Sequence, residues 1–255
     1  MQSLKKEIAE QWNQLKSLDK KVVIIFLAVA VLQTISWYYT SRKFFRANFY
    51  YQYFADNQFV KLFEYLFWFI GDFVTLFLLP SLIILFIFKE KISDYGIKFG
   101  DYKFGFIVTL ISIAVMLPVL WLVSASPEFA AKYPHLQTAK SDWTIFLIYE
   151  IGMLIYLFAW EFIWRGFMLF GLEKKFGYYA VFIQMIPFVI LHNGKPELET
   201  FSSIIGGIIL GIVALRTRSF LYGVFIHFAI MLGIDLFSTI RGKTESISEL
   251  LSRLF

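Results

Sequence analysis

The sequence predicts an all-α fold, a polytopic transmembrane helical bundle of about seven to eight spans, from three observations. The 255-residue chain is 58% hydrophobic, with mean hydropathy +0.65, more apolar side chain than a soluble domain of this length hides. Long apolar runs recur between short polar loops, and a span needs roughly 20 such residues. Seven Trp and 14 Tyr suit the level where helices meet headgroups.

The elements follow in order. Leu4, Ile8, Trp12 and Leu15 keep helical spacing, with Lys5, Lys6 and Lys16 off the stripe. This lead, residues 1–21, reads as an amphipathic helix on the membrane surface or a solvated helical tail. No cleavable signal peptide is expected, because the first apolar run follows a polar lead and is long enough to span. The expected spans are 22–39, 66–88, 104–123, 143–170, 178–191, 202–215 and 220–237. Three are short. Pro80, Pro118 and Pro187 fall inside spans, where neighbouring helices satisfy the freed carbonyls. Without internal repeats or linkers, residues 22–238 read as one membrane domain. Residues 239–255 read as a tail, with a weaker stripe at Ile247, Leu250, Leu251 and Leu254.

Charge sets the expected orientation. Alternate loops carry thirteen Lys/Arg on the side of the lead and seven on the other, before the tail. The positive-inside rule then places the N-terminus in the cytoplasm and the chain in the cell membrane. The basic residues lie mostly in loops, so nucleic acid is not implied. The absence of Cys excludes disulfides, thiol catalysis and Cys-ligated metals.

Ionisable groups at membrane depth cost about 2.5–3.5 kcal/mol each on insertion scales, which makes them functional candidates. Glu161 and Arg165 stand at i and i+4, on one helix face, as a functional pair or as an ion pair that fixes packing. His192 ends an apolar helix, and His227 lies within the last span. His135, in Lys132-Tyr133-Pro134-His135, reads as solvated. A carboxylate and imidazoles in a dry cavity suit activation of water. Two His and a Glu could also bind metal, but no His-Glu-x-x-His run supports that. Glu150 shares a face with Glu161, about 16 Å along the axis, too far for one small site. Asp72 is a further membrane carboxylate. The polar run from His192 to Glu199 reads as a turn followed by a charged helix start, or as a cavity mouth or substrate contact formed by Lys195, Glu197 and Glu199.

Trp160-Glu161-Phe162-Ile163-Trp164-Arg165-Gly166-Phe167, then Phe188 to His192, then His227 resemble the motifs of the CPBP family of intramembrane proteases, which includes Rce-type CAAX prenyl proteases. The family pattern is Glu-Glu-x-x-x-Arg, Phe-x-x-x-His and His-x-x-x-Asn/Asp. The short loop Ile92 to Ile97 fits the same family, so the likeness covers about 89–237. The resemblance implies an intramembrane endopeptidase acting on a membrane-associated peptide or protein. Its catalytic residues would be Glu161 and His192 on the water, Arg165 positioning, and His227 at the oxyanion. It implies no required cofactor, while the family's naming as metalloproteases leaves a divalent metal open. The chain departs from the pattern twice: Trp160 stands at the first Glu, and Met231 stands four residues after His227. Asp235, at i+8 and so on roughly the same face, reads as a substitute for the pattern's Asn/Asp or as a helix-end residue near the interface. The departures keep two rivals open: a non-catalytic immunity or partner-binding membrane protein, and a small transporter or channel.

Overall fold

The computed structural model describes residues 2–252, with side-chain surroundings for residues 4–242. The C-terminal stripe Ile247, Leu250, Leu251 and Leu254 lies outside the latter range. Besides short 3-10 turns at Ile92–Tyr95 and Gln137–Lys140, nine helices occur among the described residues: α1 (Gln2–Ser17), α2 (Lys20–Phe54), α3 (Val60–Phe88), α4 (Tyr102–Val123), α5 (Pro127–Lys132), α6 (Trp143–Phe176), α7 (Tyr179–Ile190), α8 (Glu197–Thr217) and α9 (Leu221–Ser252). Six, namely α2, α3, α4, α6, α8 and the Leu221–Gly242 part of α9, are long and apolar enough to cross a membrane. The expected span at 178–191 is a helix of only 12 residues. Counting it, the chain passes seven times between two faces.

Local sequence explains the ends. Asp19 caps α2 by accepting from the Lys21 and Val22 N–H groups, and Asp142 caps α6 through Thr144 and Ile145. Such caps satisfy donors that helix starts leave orphaned. Ser41 leaves the helical region (φ −71°, ψ 155°) and accepts from the Phe44 N–H, so α2 bends there. The expected first span stops at 39, whereas the helix resumes after the bend and runs to Phe54. In α3 the turns widen on both sides of Pro80, at Val74–Leu78 and Ile83–Phe88, as a missing N–H provokes.

Helix α6 is the core. Ile163, Trp164, Phe167 and Leu169 are fully buried, and α6 packs on α3, α9, α7 and α2. By contrast α4 presents Phe106, Ile107, Leu110, Ile111 and Val115 outward, the pattern of a helix facing lipid. The α1 stripe is also uncovered, with Leu4 and Ile8 each 59% exposed.

Polar contacts knit the loops into two belts, one per face. On the face nearer the lead, Lys21 pairs with Glu90 (2.6 Å), Arg216 with Asp101 (2.8 Å) and Arg218 with Glu173 (2.7 Å). There Gly100, at φ +54°, runs so close to Thr217 that a Cβ would lie 1.8 Å from its carbonyl oxygen, which only glycine permits. On the opposite face Tyr65 donates to the His135 carbonyl (2.6 Å), Lys132 to that of Gly194 (3.0 Å), and Lys195 pairs with Glu199 (2.6 Å). Tyr133 donates to the same Glu199.

Candidate active site

Glu161 lies mid-way along α6 and is fully buried. The helix widens just after it, over Phe162–Met168; wide turns of this kind recur at functional sites. Arg165 Nη1 donates to Glu161 Oε1 (3.1 Å), so the expected i,i+4 pair forms. Glu161 Oε1 also accepts from His227 Nδ1 of α9 (2.8 Å). A carboxylate only accepts, so the His227 proton sits on Nδ1, and Nε2 is the ring's free atom. Glu161 Oε2 and Arg165 Nε and Nη2 have no partner among the described residues. The Arg165 guanidinium carbon sits 4.0 Å above the Phe188 ring, a cation–π contact that offsets burial of the charge.

His192 follows the last turn of α7. Its Nδ1 donates to the Phe188 carbonyl (2.7 Å), which again leaves Nε2 free. Burial, then Lys195, pushes this imidazole down to about 3, so it is neutral at physiological pH. A cavity of about 60 Å³ is lined by His192, His227, Trp160, Met231, Lys195 and His135, among others. That volume admits a few waters. Glu161 stands behind His227, one hydrogen bond from the cavity. The four sequence-predicted residues therefore converge, with Glu161 bonded to His227 rather than to His192.

Trp160, at the position of the family's first Glu, forms part of the cavity wall, its ring 6.3 Å from that of His192. Met231 lines the same cavity. Asp72 is not at the site; it accepts from Ser36 (2.7 Å), Thr40 (2.6 Å) and Trp68 (2.8 Å) and ties α2 to α3. Two expectations are corrected. Asp235 is no interfacial helix end: it is fully buried, with its carboxyl beside that of the buried Glu150 of α6. His135 is not solvated: it is half-buried, its Nδ1 donates to the Lys132 carbonyl (3.2 Å), and burial, Lys195 and Lys132 push it down to about 3. The polar run after His192 is the expected turn, and α8 begins at Glu197.

One contributor escaped sequence reasoning. A Cβ on Gly223 would lie 2.8 Å from Glu161 Oε2, so this glycine of α9 lets the carboxylate reach His227. No motif signals it, because the need arises only where α6 and α9 cross. A metal does not fit: no three His, Asp or Glu among the described residues come together as ligands, and Glu161 is committed to Arg165 and His227.

No curated protein and no solved structure matches the chain. Residues 142–232 match the family model described as type II CAAX prenyl endopeptidase Rce1-like, a segment that holds Glu161, Arg165, His192 and His227. Over that segment the chain is similar to the CAAX-type membrane endopeptidases that this model describes.

Proposed function

We propose that this protein is an intramembrane endopeptidase that hydrolyses a peptide bond of a membrane-associated peptide or protein with a water held between His192 and His227. The observation that carries the reading is the chain Arg165–Glu161–His227 ending at a cavity whose other wall is His192. Both Nδ1–H groups are committed, so both Nε2 atoms accept in the resting state. His227, whose Nδ1–H donates to the Glu161 carboxylate, takes the proton from water at Nε2. Neutral His192 orients that water by accepting its other hydrogen. The hydroxide attacks the scissile carbonyl. The charge of His227, now protonated, and of Lys195 stabilises the oxyanion. The C–N bond breaks as His227 returns the proton to the amine. Arg165 positions Glu161. In this scheme Glu161 acts through His227, whereas the family motifs alone suggest that it works with His192.

The test compares the purified full chain with Glu161→Gln, His227→Asn and His192→Gln on a peptide library, with circular dichroism reporting the fold. Loss of a general base costs about 10²–10⁴-fold in rate. We expect that loss in Glu161→Gln and His227→Asn alike. Cleavage at the wild-type rate by either variant, or none by wild type, overturns the proposal.

Trp160 favours a second reading. It narrows the chamber at the place of the first motif Glu, as a partner-binding relative that has given up catalysis would tolerate. Genetic complementation separates the two: full biological activity of Glu161→Gln supports the binder. The loop charges support a cytoplasmic N-terminus in either case.

A further inference from the structure

A larger cavity, about 390 Å³, opens on the face away from the lead, lined by Arg42, Arg46, Lys61, Glu64, Tyr51 and His135, among others. Its depth in the membrane follows from α2. Residues 20–40 rise about 31 Å, already the roughly 30 Å of the hydrocarbon core. The bend at Ser41 therefore delivers residues 42–54 to headgroup level. Exposed Trp37, Tyr38, Tyr39, Tyr51 and Tyr53 ring that level, as interfacial aromatics do.

The cavity has more cation than it can neutralise. Arg46 binds Glu64 with both Nε (2.8 Å) and Nη2 (2.6 Å). Arg42 reaches the same carboxylate only at 3.6 Å and donates no hydrogen bond among the described residues. Stacking holds its guanidinium in place, 4.2 Å over Tyr65 and 5.7 Å over Trp68. Lys61 is exposed and has no partner among the described residues. His135, neutral as above, adds no charge.

We propose that this cavity binds the phosphate of an anionic lipid headgroup, held by the open fork of Arg42 and by Lys61. A planar guanidinium fork matches phosphate oxygens. The proposal does not rest on hydrolysis. It does place the lipid beside the chamber, because His135 lines both cavities.

The test uses the full chain in nanodiscs of phosphatidylcholine with phosphatidylglycerol. Native mass spectrometry counts the lipid retained on release. We expect phosphatidylglycerol to be retained preferentially and more weakly at high salt. Each cation removed weakens it about fivefold, in Lys61→Gln and more in Arg42→Gln with Lys61→Gln. Lys98→Gln, on the other face, leaves it unchanged. If Arg42→Gln fails to fold, Lys61→Gln decides alone, because its side chain is exposed and unpaired among the described residues. Wild-type retention in these variants overturns the site. So does displacement by inorganic phosphate at matched concentration, which marks a free-anion site. Displacement by a soluble acidic peptide reassigns the cavity to a peptide and also overturns the proposal.

Discussion

Glu161 reaches His227 because position 223 has no side chain. The Gly223→Ala methyl would press on Glu161 Oε2, the far end of a flexible side chain. Stability should change little while the Glu161–His227 bond lengthens. Misplacing a catalytic group by about 1 Å costs roughly 100-fold in rate. We expect a drop of that order with an unchanged melting temperature; an unchanged rate would remove Gly223 from the machinery. The residues that carry charge were legible in the sequence, since spacing alone groups Glu161 with Arg165 and flags His192 and His227. Their partners were not. Whether Glu161 bonds to one His or the other, and whether Asp235 faces lipid or Glu150, depends on how α6 and α9 cross.

Helices α6 and α9 carry the two halves of the site, and a second contact fastens them. Glu150 and Asp235 are buried, and no N–H or hydroxyl donor reaches their carboxyl oxygens among the described residues. A hydrogen bond between two carboxyls uses a proton held by one of them. An amide supplies such a donor without that proton, so Glu150→Gln or Asp235→Asn should keep the fastening. Alanine at either site leaves a buried carboxyl unpaired, at about 1–3 kcal/mol. Unfolding of detergent-solubilised variants measures the difference, and equal stability of Glu150→Gln and Glu150→Ala would refute it. At this scale the sequence was informative about helices and poor about their limits. Every expected apolar run is helical. Apolarity alone could not reveal that α2 turns at Ser41 and resumes among the Tyr and Phe of residues 42–54, or that α3 starts at Val60 ahead of its most apolar stretch.

Across the molecule, half-buried His135 and buried His192 lie on the same face, away from the lead. His135 and His192 each fall from 6.5 to about 3. The unfolded chain takes up these protons below about pH 6.5, and the folded chain refuses them until about pH 3. Stability is therefore complete above the unfolded value and is lost as pH falls through the window between. The melting temperature should hold near pH 7–8 and decline toward pH 4, and His135→Gln should flatten the decline; a level profile in wild type would contradict it. The short α7 has a consequence for the bilayer itself. Twelve residues rise about 18 Å, well short of the roughly 30 Å hydrocarbon thickness. Mismatch of that size is relieved by thinning of the lipid around the helix end or by sinking of the polar turn that follows. Either brings the aqueous phase down toward His192, where the proposed hydrolysis would draw its water.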